Sequence, residues 1–256
     1  LISPMISGAL LNMASIEIIF FIDVITAAIA VSILLVFLNV PVHEKALNKQ
    51  VTSYFSDMHE GYVYIKNHDY VKRFFLFCAI FNILVAPAAF LTPLQVTRSF
   101  GDDVWRLTAI EMIFSIGMMI GGVVMASWGG FKNRIHTMAL SSFVIGICTF
   151  ALGIVPNFWI YLSFMMLFGI VMPIFNTPAT VLLQEKVEEN FLGRVFSVLG
   201  MISSIMMPLG MLVFGPLADI IKIEWLLIGT GLLLFSQGFF MLSSKVLIEA
   251  GKPASE

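Results

Sequence analysis

Gly169-Ile170-Val171-Met172-Pro173-Ile174-Phe175-Asn176-Thr177-Pro178 lies within a run, 158–183, that contains no charged residue. Crossing a bilayer core about 30 Å thick takes roughly 20 apolar residues as helix. The run meets that length, yet two prolines interrupt it. Each proline removes a backbone hydrogen bond and kinks the helix. In hydrocarbon the freed carbonyl needs a partner, so such a break belongs against protein or a water-filled cavity. The stretch Val85-Ala86-Pro87-Ala88-Ala89-Phe90-Leu91-Thr92-Pro93, inside the apolar run 74–96, has the same character.

Outward from these two, the runs 17–38, 105–127, 135–154, 196–217 and 225–243 are also long enough to span, and residues 1–13 form a shorter apolar stretch. All are apolar on every side, whereas barrel strands alternate with period two. The predicted fold is therefore all-α, a polytopic membrane helical bundle. Composition points the same way. Of the 256 residues 59% are apolar and 12% are charged, against roughly 45–50% and 25% in a soluble chain. So little charge excludes a soluble enzyme, a nucleic-acid binder and a disordered tail. A net charge of −2 gives no electrostatic case for a polyanionic partner. Cys78 and Cys148 both fall in apolar runs and read as small buried hydrophobes.

The basic residues orient the spans. Lys45, Lys49, Lys66, Lys72, Arg73, Lys132, Arg134, Lys186, Arg194, Lys245 and Lys252 fall on one side, and Arg98, Arg106 and Lys222 on the other. By the positive-inside rule the richer side is cytoplasmic, and with it the C-terminus and the tail 244–256. The long polar segment 39–73 is then a cytoplasmic loop. It opens on Asn39-Val40-Pro41, where the proline stops the preceding helix. Val51, Tyr54, Phe55, Met58, Tyr62 and Ile65 recur near helical spacing in it. They predict an amphipathic helix, either lying on the membrane face or packed under the bundle. His59, Glu60 and His68 show no recurring ligand spacing, so no metal or other cofactor is expected.

The six spans after that loop divide into two triplets, 74–154 and 158–243, each opening on a proline-paired helix. Three is an odd number, so the second triplet enters from the opposite side and the repeat is inverted. Proline-broken segments in corresponding positions of two halves point to a transporter's binding site. Prolines are also simply commoner in membrane helices. Pro87, Pro173 and Pro178 are the candidate cavity prolines. The second helix of each triplet is rich in small residues, with Gly117, Gly121 and Gly122 in one and Gly200, Ser203, Ser204, Gly210 and Gly215 in the other. Such residues let backbones approach closely, for static packing or for helices that rock on one another.

Polar groups at membrane depth complete the inventory. Glu111 sits a turn or two inside 105–127, at a cost of about 2.5–3.5 kcal/mol on insertion scales. Ser115, Met118 and Gly122 share its face. The readings are a carboxyl that exchanges protons and couples their flow to transport, or a Glu near the outer end that reaches the interface or pairs with Arg106. Asp23 is the second proton-coupling candidate, or else a structural group between helices. Asn82, Asn176 and Gln237 are neutral candidates for a substrate cavity, or else polar glue between helices. A subset of the 16 Met and 24 Phe residues would suit a permissive apolar cavity.

Gly193-Arg194-Val195-Phe196-Ser197, Pro208-Leu209-Gly210 and Gly215-Pro216-Leu217-Ala218-Asp219 follow in an order that resembles the penultimate helix of major facilitator superfamily exporters, in the branch of macrolide-efflux-type permeases and enterobactin exporters. Trp128-Gly129-Gly130-Phe131-Lys132-Asn133-Arg134 resembles that superfamily's short basic loop, without its usual Asp. Ser3-Pro4-Met5-Ile6-Ser7-Gly8 resembles its antiporter motif, with Ser twice in place of Gly. The resemblance implies a registration. Residues 1–38 would be the end of the N-terminal transmembrane half and 39–73 the central loop. Residues 74–243 would be the complete six-helix C-terminal half. It also implies two halves rocking about a midplane site, often exchanging a proton for a drug or metabolite, with Lys132, Arg134 and Arg194 at the cytoplasmic gate. A missing N-terminal half would be the chain's partner, beside small-molecule substrate, protons and lipid.

The function expected is a secondary transporter in the cell membrane that exports amphipathic small molecules. An uptake permease of the same fold and a non-transporting scaffold or receptor are the alternatives. An intramembrane enzyme would need paired catalytic groups at depth. His43, His59, His68 and His136 all lie in or beside loops, and neither HExxH nor the ATP-binding GxxxxGK[ST] occurs.

Overall fold

The computed structural model of the chain describes residues 16–37 and 54–252. Ser3 to Gly8, Pro41, His43 and Val51 lie outside the described residues. Within them every regular element is a helix: α1 (Ile16–Phe37), α2 (Tyr54–Asn67), α3 (Asp69–Phe90), α4 (Thr92–Phe100), α5 (Val104–Trp128), α6 (Arg134–Leu152), α7 (Phe158–Lys186), α8 (Glu189–Ile220), α9 (Ile223–Ser243) and α10 (Lys245–Ala250). Six segments, with α3 and α4 counted as one, are long and apolar enough to cross a membrane. The chain is a multi-pass helical bundle.

Several helices outrun their apolar cores. The run 196–217 becomes α8 over 189–220, and 158–183 becomes α7 over 158–186. The added turns carry the polar residues Glu189, Asn190, Arg194 and Gln184 to Lys186, because a helix need not end where hydrocarbon does. Asn133 and Asn157 cap α6 and α7, accepting from Ile135 N at 3.0 Å and Trp159 N at 2.9 Å. Gly129, at φ 70, ends α5 in the left-handed conformation open to glycine. The helices that open the two triplets behave differently. α7 runs through Pro173 and Pro178. The first span breaks at Leu91, and Pro93 opens the separate helix α4.

The triplets α3-α5-α6 and α7-α8-α9 pack as the inverted repeat requires. α5 and α6 pack on α7, α8 and α9 pack on α3, and α6 packs on α9. Exchanging the triplets maps this set of pairs onto itself. Glycines set the closest approaches. A Cβ on Gly146 would stand 2.6 Å from Phe235 N, and one on Gly231 2.5 Å from Phe150 N, at the α6–α9 crossing. Side chains on Gly117 and Gly121 would run into the Met166 and Ile170 carbonyls of α7. Gly117 and Gly121 thus let α5 and α7 approach closely, while Gly122 faces open space. In α8 only Gly210 is closely packed, against Ile83 and Ala86 of α3.

α2 packs beneath the bundle, on α8 and α3. Of the expected stripe, Ile65 is buried and Tyr62 is not. Gly61 and Tyr64 are buried as well. Close contact selects the glycine: a Cβ on Gly61 would be 3.3 Å from Arg194 Cβ. The described side chains of α1 are all exposed.

Candidate functional site

α3 and α7, the helices that open the two triplets, meet through aromatic rings. Phe81 stacks on Phe175 at 4.2 Å and 10°, with Phe77 a further 6.0 Å from Phe175. Both phenylalanines sit in the same tripeptide, Ile80-Phe81-Asn82 and Ile174-Phe175-Asn176. That recurrence is a signal the reading of the proline pairs passed over. α3 and α7 are the first and fourth spans and run antiparallel. The residue after each stacked ring therefore turns, about 100° on, to the same side of the pair. Asn82 and Asn176 thus share one face. Asn82 is half-buried, its Nδ2 donating to Cys78 O at 2.8 Å, and Asn176 is exposed.

Glu111 turns to that side as well. α5 meets α7 through Gly117 and Gly121, and the stripe Glu111, Ser115, Met118, Gly122 lies about a quarter turn round from this contact. Asn176 lies about a quarter turn round α7 in the sense that, for two parallel helices, brings both to one side. Glu111, Met118 and Gly122 are exposed and Ser115 is half-buried. The alternative of a Glu111–Arg106 pair does not hold. Arg106 bonds Asp103 at 3.4 Å and lies over the rings of Trp105 and Phe158 at 5.4 and 5.7 Å. Those aromatic faces and the near acid hold the guanidinium at the start of α5.

Pro87 and Pro178 are buried and Pro173 is half-buried. Gln237 is not brought to this face. Its Nε2 donates to Phe77 O at 2.9 Å, and it lines a cleft with Leu76 and Ile80. Ile80 lies about 200° round α3 from Asn82, so the cleft opens on the other side. Asp23 is exposed on α1, with Thr26 Oγ1 donating to its backbone carbonyl at 3.0 Å.

The three basic candidates do not form one cluster. Arg134 Nη2 donates to Glu185 Oε1 at 2.8 Å, tying the start of α6 to the end of α7. Glu185 therefore stands opposite the basic loop that lacks its usual Asp. Arg194 bonds Glu60 at 2.8 Å, which pins α2 to α8, and lies over Phe191. Phe191 continues a stack with Tyr64 and His68 at 4.7 and 4.0 Å. Lys132 is exposed without an ion pair among the described residues. Among those residues no group of three or more His, Cys, Asp or Glu is arranged to hold a metal.

At the opposite end is a polar network that the sequence reading missed. Buried Gln95 donates to Leu152 O at 2.8 Å and accepts from the fully buried Tyr161 hydroxyl at 3.0 Å. Arg98 Nη1 donates to Ala218 O at 3.1 Å, and Ser99 to Glu224 at 3.0 Å. α4 is thereby fastened to α6, α7, α8 and α9. One Gln on a short segment after a break carries no periodic signal.

Two three-helix units with matching contacts, each opening on a helix that carries prolines, form a multi-pass membrane bundle of the transporter type. The family model described as Major Facilitator Superfamily matches residues 1–211, and the chain belongs to that family. It is 27% identical over 237 residues to Macrolide efflux protein A of Streptococcus pyogenes, covering 91% of this chain and 58% of that protein. It is 28% identical over 213 residues to Macrolide efflux protein A of Enterococcus faecalis, covering 82% of this chain and 66% of that one. The chain thus spans about three fifths of the length of these relatives. No solved structure matches it.

Proposed function

We propose that this chain forms the C-terminal half of a secondary active transporter that exports amphipathic small molecules in exchange for protons, by alternating access. The observation that carries the reading is the common face of Glu111, Asn82 and Asn176. A carboxyl and two amides on one side of an apolar six-helix unit supply a proton-exchanging group and orienting hydrogen bonds, with Met118 as adaptable apolar wall. The exposure of that face fits a wall completed by an N-terminal half. The names of the relatives, macrolide efflux proteins, favour export and an amphipathic cargo over uptake. The protein sits in the cell membrane with the basic loops and C-terminus cytoplasmic. It transports rather than catalyses, and uses no cofactor. Arg134 with Glu185 and Arg194 with Glu60 brace the cytoplasmic ends of the helices that move as a gate, with Lys132 beside them. Asp23 is a second proton-coupling candidate, on a helix outside the six-helix half.

The test is macrolide or cationic-dye transport by the full-length protein in everted membrane vesicles under an imposed pH gradient. Glu111→Gln is expected to abolish gradient-driven accumulation with expression intact. Undiminished accumulation removes Glu111 from the mechanism.

A further inference from the structure

The cleft that holds Gln237 opens away from the Asn82 face. It encloses about 230 Å³ between α3 and α9, with Leu76, Ile80 and Leu84 on one wall and Leu233 and Phe240 on the other. Leu76, Ile80, Leu233 and Phe240 are also exposed, so the cleft is open along its length.

One end of the cleft is basic. Arg73 precedes Leu76, Ile80 and Leu84 by three, seven and eleven residues, which places it on the same stripe of α3. Arg73 and Lys72 are exposed and have no ion-pair partner among the described residues. The α9 wall leads, one turn beyond Phe240, to Ser244. That residue is 9% exposed, and its buried hydroxyl has no hydrogen-bond partner. Lys245 follows, exposed, at the start of α10, which packs on α3. From Arg73 to Leu84 the helix rises about 16 Å, close to one leaflet of a hydrocarbon core about 30 Å thick. The positive-inside rule accounts for the cations but not for an apolar cleft that lies on the same helix stripe and leads to them.

We infer that the α3–α9 cleft binds an anionic phospholipid from the leaflet on the basic side of the protein. One acyl chain lies along Leu76 to Leu84 and Leu233 to Phe240. The phosphate is held by Arg73 and Lys72. Basic pockets between helices at this level select anionic headgroups by charge, and the apolar wall adds the chain's burial. The site lies outside the transport face and stands whether or not the exporter reading does.

The test uses the full-length protein in vesicles containing traces of phosphatidylglycerol with a photoactivatable acyl chain, or the matching phosphatidylcholine. Phosphatidylglycerol crosslinks are expected to concentrate in peptides 76–84 and 233–240, at least fivefold above phosphatidylcholine. The double variant Lys72→Glu/Arg73→Glu should remove that excess, and Arg73→Lys should keep it. Ser236→Trp, which fills the cleft without touching a charge, should block labelling and decides the matter if the double variant does not fold. Equal labelling by the two lipids overturns the inference. So does labelling indifferent to Ser236→Trp, or displacement of the lipid by soluble glycerol phosphate, since the apolar wall would then contribute nothing.

Discussion

Phe81 and Phe175 lie almost parallel with ring centroids 4.2 Å apart, and this stack joins the helices that open the two triplets across the core of the inverted repeat. Aromatic pairs contribute about 0.5–1.5 kcal/mol beyond the area they bury. Truncating a core Phe to Ala costs roughly 3–5 kcal/mol. Phe81→Ala is therefore expected to lower the thermal unfolding midpoint of the detergent-purified protein by several degrees, and Phe81→Leu by much less. Equal midpoints for wild type and Phe81→Ala would show that the stack does not hold α3 to α7.

Two adjacent glycines separate close packing from open surface. A side chain at Gly121 meets the Ile170 backbone, whereas nothing lies within 4 Å of one at Gly122. Gly121→Val should abolish monodisperse protein in size-exclusion chromatography, because backbone cannot yield as a side-chain tip can. Gly122→Val should elute as wild type. The reverse order would refute the α5–α7 contact.

The Tyr161 hydroxyl is the donor to Gln95 Oε1. Tyr161→Phe leaves that buried oxygen unsatisfied, at a cost of about 1–3 kcal/mol. For a chain of this size that corresponds to a midpoint roughly 2–4 °C lower per kcal/mol. Thermal unfolding checks it, and an unchanged midpoint would mean that water replaces the phenol.

Lys132, before α6, and Arg134, at its first residue, stand two residues apart, and of the two only Arg134 has an ion-pair partner among the described residues. Arg134 is 28% exposed and bonded to Glu185, itself 33% exposed. Such a part-buried, charge-assisted bond exceeds the 0–1 kcal/mol of an exposed pair only modestly. Arg134→Gln should reduce efflux rates severalfold with a small stability loss, and Lys132→Gln should leave both near wild type. Partial recovery in Arg134→Glu/Glu185→Arg would identify the pair itself as the acting unit.

If Asn82 and Asn176 face one cavity, their effects on transport should not simply add. Asn82→Ala and Asn176→Ala should each raise the half-saturating substrate concentration severalfold. The double variant should depart from the product of the two by more than twofold, since groups that share a ligand couple. Strict multiplicativity in vesicle efflux assays would place them on separate sites.

Much of this architecture is legible in the residues. Membrane spans follow from length and apolarity alone, because hydrocarbon forces every backbone group into helix. Pro87 and Pro178 mark the paired helices, although only the first span actually breaks, at Leu91. The tripeptide shared by 80–82 and 174–176 was available as a second repeat signal. The α2 face was harder to read. Its contact is made by Gly61 against α8, and a residue with no side chain contributes nothing to a hydrophobic stripe.

By itself the sequence determined that this is a helical membrane protein and where six long apolar helices lie. Those properties depend on local composition and on periodicity along one chain. Only the tertiary structure decided that Arg106 turns to Asp103 and the aromatic rings rather than to Glu111, and that Gln237 stands apart from Asn82 and Asn176. It alone also showed Gln95 fastening α4 to its neighbours. The reason is geometric. Which partner a polar group finds depends on helix rotation and on how closely glycines let helices approach, and residues tens of positions apart set both.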